Sequence, residues 1–225
     1  MKLRTIFLLI LCFTSCSKPT ADESAVRMLA ERIVPEYSSG LVFRQMEDSV
    51  DVFELYSEDG KVVICGNNAN SMAVGLNHYL KNHCGVTVSW YAHEPVEYPS
   101  VMPSVDVPVR VEARVKERFF LNYCTFGYTM PWWKWEDWER LIDWMALNGV
   151  TMPLATTGQE AVWQKVWRSH GLTDEEIRSY FTGPAHLAWH RMSNIDGFDG
   201  PLPQGWIDAQ VELQKKIHER ERSLN

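Results

Sequence analysis

His186 and His190 stand four apart in HLAWH, a spacing that sets two imidazoles on one helix face, but no third ligand is signalled nearby. A zinc site needs three or four protein ligands, so core or solvated histidines are the plainer reading and no metal is expected. His78, His83 and His93 are scattered and form no base-and-nucleophile pattern. Cys124 follows Asn122 in LNYC, and a lone thiol without a visible base reads as a small apolar filler. Glu160 closes the turn TTGQE after an apolar run, where a parallel barrel places its functional groups. A glutamate favoured by the dipole of the helix it begins explains it equally well. Glycine-rich phosphate loops, GxSxG and HExxH motifs do not occur, and no cofactor is implied.

The densest chemistry is aromatic. MPWWKWEDWER, residues 130–140, holds Trp132, Trp133, Trp135 and Trp138. Trp135, Trp138, Ile142 and Met145 fall on one helical stripe, so the first two are core. Trp132 and Trp133 precede that helix just past Pro131, where an indole can face a ligand such as the apolar C–H face of a sugar ring. A membrane-interface belt is disfavoured because no spanning helix accompanies the cluster.

These residues need elements to hold them. SAVRMLAERIV has helical spacing and stops at Pro35; LVFRQM (41–46), DVFELYS (51–57) and KVVICG (61–66) read as strands, the last two joined by the turn Glu58-Asp59-Gly60. A helix follows, capped at Asn70 or Ser71 and ended at Gly85, and VTVSWY (86–91) reads as strand. Residues 23–96 thus form a small α+β domain, and the Pro-bearing stretch 97–112 an extended linker. From 113 the pattern becomes strand (118–126), Trp-rich helix to Asn148 with Gly149 as cap, strand (150–156), helix (159–170), a capping box at Thr173 and Glu176, and a long polar helix. Strand, helix, strand, helix opens a parallel α/β structure.

The 225 residues are 45% apolar, enough for a real core. The formal charge of −7 becomes −9 without Lys2 and Arg4 in the leader, which repels phosphate backbones, so no nucleic acid partner is expected. MKLRTIFLLILCFTSC is a basic start and an apolar run too short to span a bilayer, ending in a lipobox-like segment. Residues 1–16 are read as a lipoprotein signal with Cys16 lipidated, and 17–22 as a tether. The expectation is an exported, membrane-anchored bacterial lipoprotein in the periplasm or at the cell surface, with Cys16 as its membrane contact. An ordinary cleaved signal is the alternative. Cys65, Cys84 and Cys124 make no disulfide framework.

The wording of the second half goes further than its periodicity. WWxWxxWExxIDWMALNG, TGQEAVWQ, FTGPA and GPLP occur together and in order over residues 112–222, and this run resembles the α-N-acetylglucosaminidase family, glycoside hydrolase family 89. Residues 24–100 resemble the smaller domain that precedes the barrel in that family. The resemblance implies an exo-acting, retaining hydrolase releasing terminal α-linked N-acetylglucosamine from a glycan, with a (β/α)8 catalytic domain and no metal. It places Asn122 and Cys124 in the pocket for the terminal sugar, and Trp133, Gln159, Glu160 and Asn194 at its rim or in its support. Phe198 departs from the family, which often has tryptophan there, and loses an indole N–H donor. The two catalytic glutamates of the family lie on later strands. A barrel takes about 250 residues, and Arg118 to Asn225 supplies 108. The expected fold is therefore a small α+β domain followed by the first strand–helix units of an incomplete barrel at 113–225, and the chain alone is expected to be inactive. A non-catalytic carbohydrate-binding protein and another hexosaminidase-like barrel enzyme are the alternatives; TGQEAVWQ and FTGPA argue against the latter.

Overall fold

The computed structural model describes residues 18–92, 96–195 and 201–224. The expected lipid attachment at Cys16 and the divergent Phe198 lie outside them. The chain opens with α1 (Ala21–Ile33), begun by a reciprocal cap in which Thr20 and Glu23 satisfy each other's backbone N–H. Strands β1 (Leu41–Gln45), β2 (Val52–Glu58) and β3 (Lys61–Gly66) follow, then α2 (Ala69–Asn82). Asp59 and Gly60 both have positive φ, 50° and 74°, which is the hairpin geometry whose twist matches the paired strands β2 and β3. β1 lies parallel on the other side of β3. Asn68, not Asn70 or Ser71, caps α2 by accepting from the Ser71 N–H at 2.8 Å, and Gly85 takes the left-handed turn after it.

Two expectations for the small domain change. Residues 86–91 form no strand: Val86 is buried, and Val88 and Trp90 pack partly buried against the core cluster, so the alternating pattern is satisfied by a loop laid against the core. Part of the presumed linker is β4 (Val109–Glu112), antiparallel to β2, giving the order β1-β3-β2-β4. Its Arg110 pairs with Asp48 and Glu54 at 2.7 and 2.8 Å, and charge of this kind protects an exposed sheet edge.

The second half begins with β5 (Phe119–Phe120) and β6 (Met152–Pro153), paired in parallel with Phe119 opposite Met152. The runs 118–126 and 150–156 are thus strand for only two residues each. After Phe120 a side-chain cap diverts the chain into α3 (Tyr123–Tyr128), because a local Asn–Thr hydrogen bond competes with extension of the strand. α4 (Trp135–Leu147) carries the tryptophan stripe, with Trp138, Ile142 and Met145 buried and Trp135, expected in the core, only half-buried against it at the helix start, and Gly149 at φ 73° follows. α5 (Gln159–Ser169), α6 (Asp174–Tyr180) with the Thr173–Glu176 capping box, α7 (Leu187–Arg191) and α8 (Gln204–Ser223) complete the elements.

A continuous apolar core runs from α1, α2 and the sheet through α4 to Ile217 and Leu224 at the end of α8. Polar ties reinforce it. Asn77 donates to the Leu147 carbonyl at 2.7 Å and Asn70 to the Val150 carbonyl at 3.0 Å, so α2 satisfies carbonyls where α4 ends. Buried Asp143 on α4 receives Arg32 of α1 at 2.7 Å and Arg220 of α8 at 2.7 Å. Burial pushes its carboxyl up to about 6, with Arg32 pulling it down. Among the described residues, no helix is long and apolar enough to cross a membrane.

Candidate active site

The segments that leave β5 and β6 carry the candidate residues. Leu121, directly after β5, has φ 78°, in the left-handed region that bulky side chains rarely adopt. Such strain costs about 1–3 kcal/mol and persists where the surroundings enforce it. The turn delivers Asn122 to the N-cap of α3, where its Oδ1 accepts from the Thr125 N–H at 3.2 Å and the Thr125 hydroxyl at 3.1 Å. Two donors on one oxygen fix the amide's orientation, so exposed Asn122 presents its Nδ2 to solvent as a donor. Cys124 sits half-buried in the first turn of the same helix.

α7 packs closely on α3. A Cβ at Gly127 would lie 2.4 Å from the Trp189 ring, and Tyr128 meets that ring edge-on at 5.1 Å. Glu160 is buried in the first turn of α5, and Arg191 grips both its oxygens at 2.8 Å. Its carboxylate thus joins α5 to α7. Gln159 is half-buried at the start of α5, its N–H bonded to the Thr156 carbonyl at 3.2 Å. Asn194 is exposed just past α7, its N–H returning to the Trp189 carbonyl at 2.9 Å. His190 is buried among Trp163, Tyr180 and Phe181, which pushes its imidazole down; His186 sits instead beside Trp189. Among the described residues, no three His, Cys, Asp or Glu side chains converge as metal ligands.

The tertiary fold therefore ties Asn122 and Cys124 (α3), Gln159 and Glu160 (α5) and Asn194 (after α7) into one set of packed helices beyond β5 and β6. Trp133 is placed differently: its ring is wedged between Trp90 and Trp138, with centroids at 5.8 and 5.4 Å, while Trp132 is 68% exposed. Sequence reasoning missed Leu121, Thr125 and Arg191. Thr125 was legible, three residues after an Asn in capping spacing. Arg191 was not, since 31 residues separate it from Glu160. Thr156 and Thr182 bury hydroxyls that have no hydrogen-bond partner among the described residues.

Comparison with known proteins matches the α-N-acetylglucosaminidase N-terminal domain to residues 24–104 and the α-N-acetylglucosaminidase TIM-barrel domain to residues 118–225. Human α-N-acetylglucosaminidase is 42% identical over 210 residues, which is 90% of this chain and 28% of the human protein. The family 89 glycoside hydrolase of Clostridium perfringens, solved as a double Glu→Gln variant with its substrate GlcNAc-α-1,4-galactose, superimposes with a TM-score of 0.85 at 38% identity. Its complex with PUGNAc gives 0.83 at 37%. Both cover 91% of this chain and 24% of the bacterial one, so the chain spans about a quarter of the length of these relatives.

Proposed function

Because this chain belongs to the α-N-acetylglucosaminidase family, glycoside hydrolase family 89, over its N-terminal domain and the opening strand–helix units of its barrel domain, we propose that it serves an exo-acting, retaining hydrolysis of terminal α-linked N-acetylglucosamine. Its part is one side of the pocket for the terminal sugar. The carrying observation is Asn122, fixed as a donor directly after β5, where a barrel of this type places substrate contacts. A hydroxyl or acetamido oxygen of the sugar is a matching acceptor. Cys124, in the first turn of the same helix, is its half-buried neighbour along the chain.

Retention of configuration needs two carboxyls about 5–5.5 Å apart, one to exchange a proton and one to attack. The buried carboxylates of the barrel portion are already engaged, Glu160 by Arg191 and Asp143 by Arg32 and Arg220. Each carboxylate is committed to arginine side chains that join helices of the fold, so neither is free to reach a sugar. We therefore assign neither a catalytic role and expect both catalytic glutamates on strands beyond those of this chain. The purified chain, given an aryl α-N-acetylglucosaminide, is expected to release no aglycone; enzyme-dependent release would refute this. The same reading keeps Cys16 as the site of lipid attachment in an exported protein. Intact mass of the membrane-fraction protein, with Cys16→Ser as control, tests it by the presence or loss of the acyl mass.

A further inference from the structure

Between the small domain and the segment joining α3 to α4 lies a pocket of about 320 Å³, lined by Trp90, Tyr91, Thr129, Trp133, Asp137 and Arg140. Its aromatic walls come from both halves of the chain. Trp90 meets Trp133 at 5.8 Å with the rings 64° apart, and Tyr91 stands edge-on to Trp90 at 5.6 Å and 80°. Behind Trp133, buried Trp138 packs at 5.4 Å and anchors the wall to the core. The inclined rings form one aromatic wall that spans both halves of the chain. Tyr91 is 71% exposed, so its ring is accessible from solvent at the pocket mouth. The polar groups of the lining are the Tyr91 and Thr129 hydroxyls, the Asp137 carboxylate and the Arg140 guanidinium, one formal charge of each sign. Aromatic side chains lined up with hydroxyl and charged hydrogen-bonding groups suit a neutral pyranose, whose C–H face is apolar and whose rim is hydroxyl.

We propose that this pocket is an accessory carbohydrate site, distinct from Asn122, that takes a neutral hexopyranose unit of the glycan. It rests on the reading that the ligand of the chain is a glycan, and it gives the small domain a direct share in binding through Trp90 and Tyr91. The test is an NMR titration of the whole chain with GlcNAc-α-1,4-galactose and with galactose alone, following the indole N–H signals and the Asn122 side-chain amide, with Trp90→Phe for assignment. Saturable shifts of the Trp90 and Trp133 indoles are expected, weakened at least fivefold by Tyr91→Ala, kept by Tyr91→Phe and unaffected by Asn122→Ala. Exposure of Tyr91 keeps the alanine variant folded. Shifts confined to the Asn122 amide, or indifferent to Tyr91→Ala, overturn the accessory site and leave the terminal-sugar reading standing. Absence of saturable shifts with either sugar overturns the accessory site, while the terminal-sugar reading is judged separately by the activity assay above.

Discussion

Asn122 acts as a one-way group: with its carbonyl oxygen occupied by two donors from Thr125, only its amino hydrogens can address a ligand. That polarity depends on the Thr125 hydroxyl, since the backbone N–H by itself leaves the oxygen a second lone pair and the amide free to tilt. Thr125→Val is therefore expected to weaken N-acetylglucosamine binding several-fold, read from the Asn122 amide in an NMR titration. Global stability should fall by about 1 kcal/mol at most, the worth of one exposed hydrogen bond. Thr125→Ser should restore binding. An unchanged titration in the valine variant would mean that the cap does not orient the amide.

At the scale of elements, α8 closes the core with its last turn. There Glu221 lines a small cavity with Ile142, Met145, Ala146, Pro153, Leu224 and the polar side chain of Asn70, and desolvation pushes its carboxyl up to about 7. The sign follows from linkage. Below the ordinary glutamate range both folded and unfolded states hold the proton, and no penalty exists. As pH rises toward 7 the unfolded chain ionises while the folded one resists, so stability falls through that window and the full cost persists above it. Glu221→Gln should thus stabilise the protein on the order of 1–3 kcal/mol at pH 8 and by nothing measurable near pH 4. Urea denaturation at the two pH values checks this; a gain independent of pH would assign the effect to packing.

For the whole molecule, Asp143 is the charged junction that adds to the shared apolar core in joining α1, α4 and α8. Removing it strands the Arg220 guanidinium, 10% exposed, without its counter-charge. Loss of one member of a buried pair costs about 3–5 kcal/mol because the survivor stays desolvated and unpaired. Asp143→Ala is expected to lose that much in urea denaturation and to separate the unfolding of the small domain from that of the barrel portion. A single cooperative transition with under about 1 kcal/mol lost would show that the shared apolar core alone couples the halves. The junction also bears on function, since the proposed accessory site takes walls from both sides of it.

What the residues decided unaided was local or carried by long motifs. The Asp59-Gly60 hairpin, the Thr173–Glu176 cap, the Gly85 and Gly149 stops and the Trp138, Ile142 and Met145 stripe of α4 each depend on neighbours within a turn or two, and each formed as read. The family followed from WWxWxxWExxIDWMALNG and its companions, which fix a type of fold without fixing any contact. Tertiary structure decided the rest. It made a loop of 86–91, because burial against helices satisfies an alternating pattern as well as a sheet does. It recruited 109–112 to the sheet edge, wedged Trp133 between two indoles, and committed Glu160 to Arg191. Those outcomes turn on pairings between residues distant along the chain. Composition and spacing report what a side chain is able to do, and only the packed fold determines which partner occupies it first.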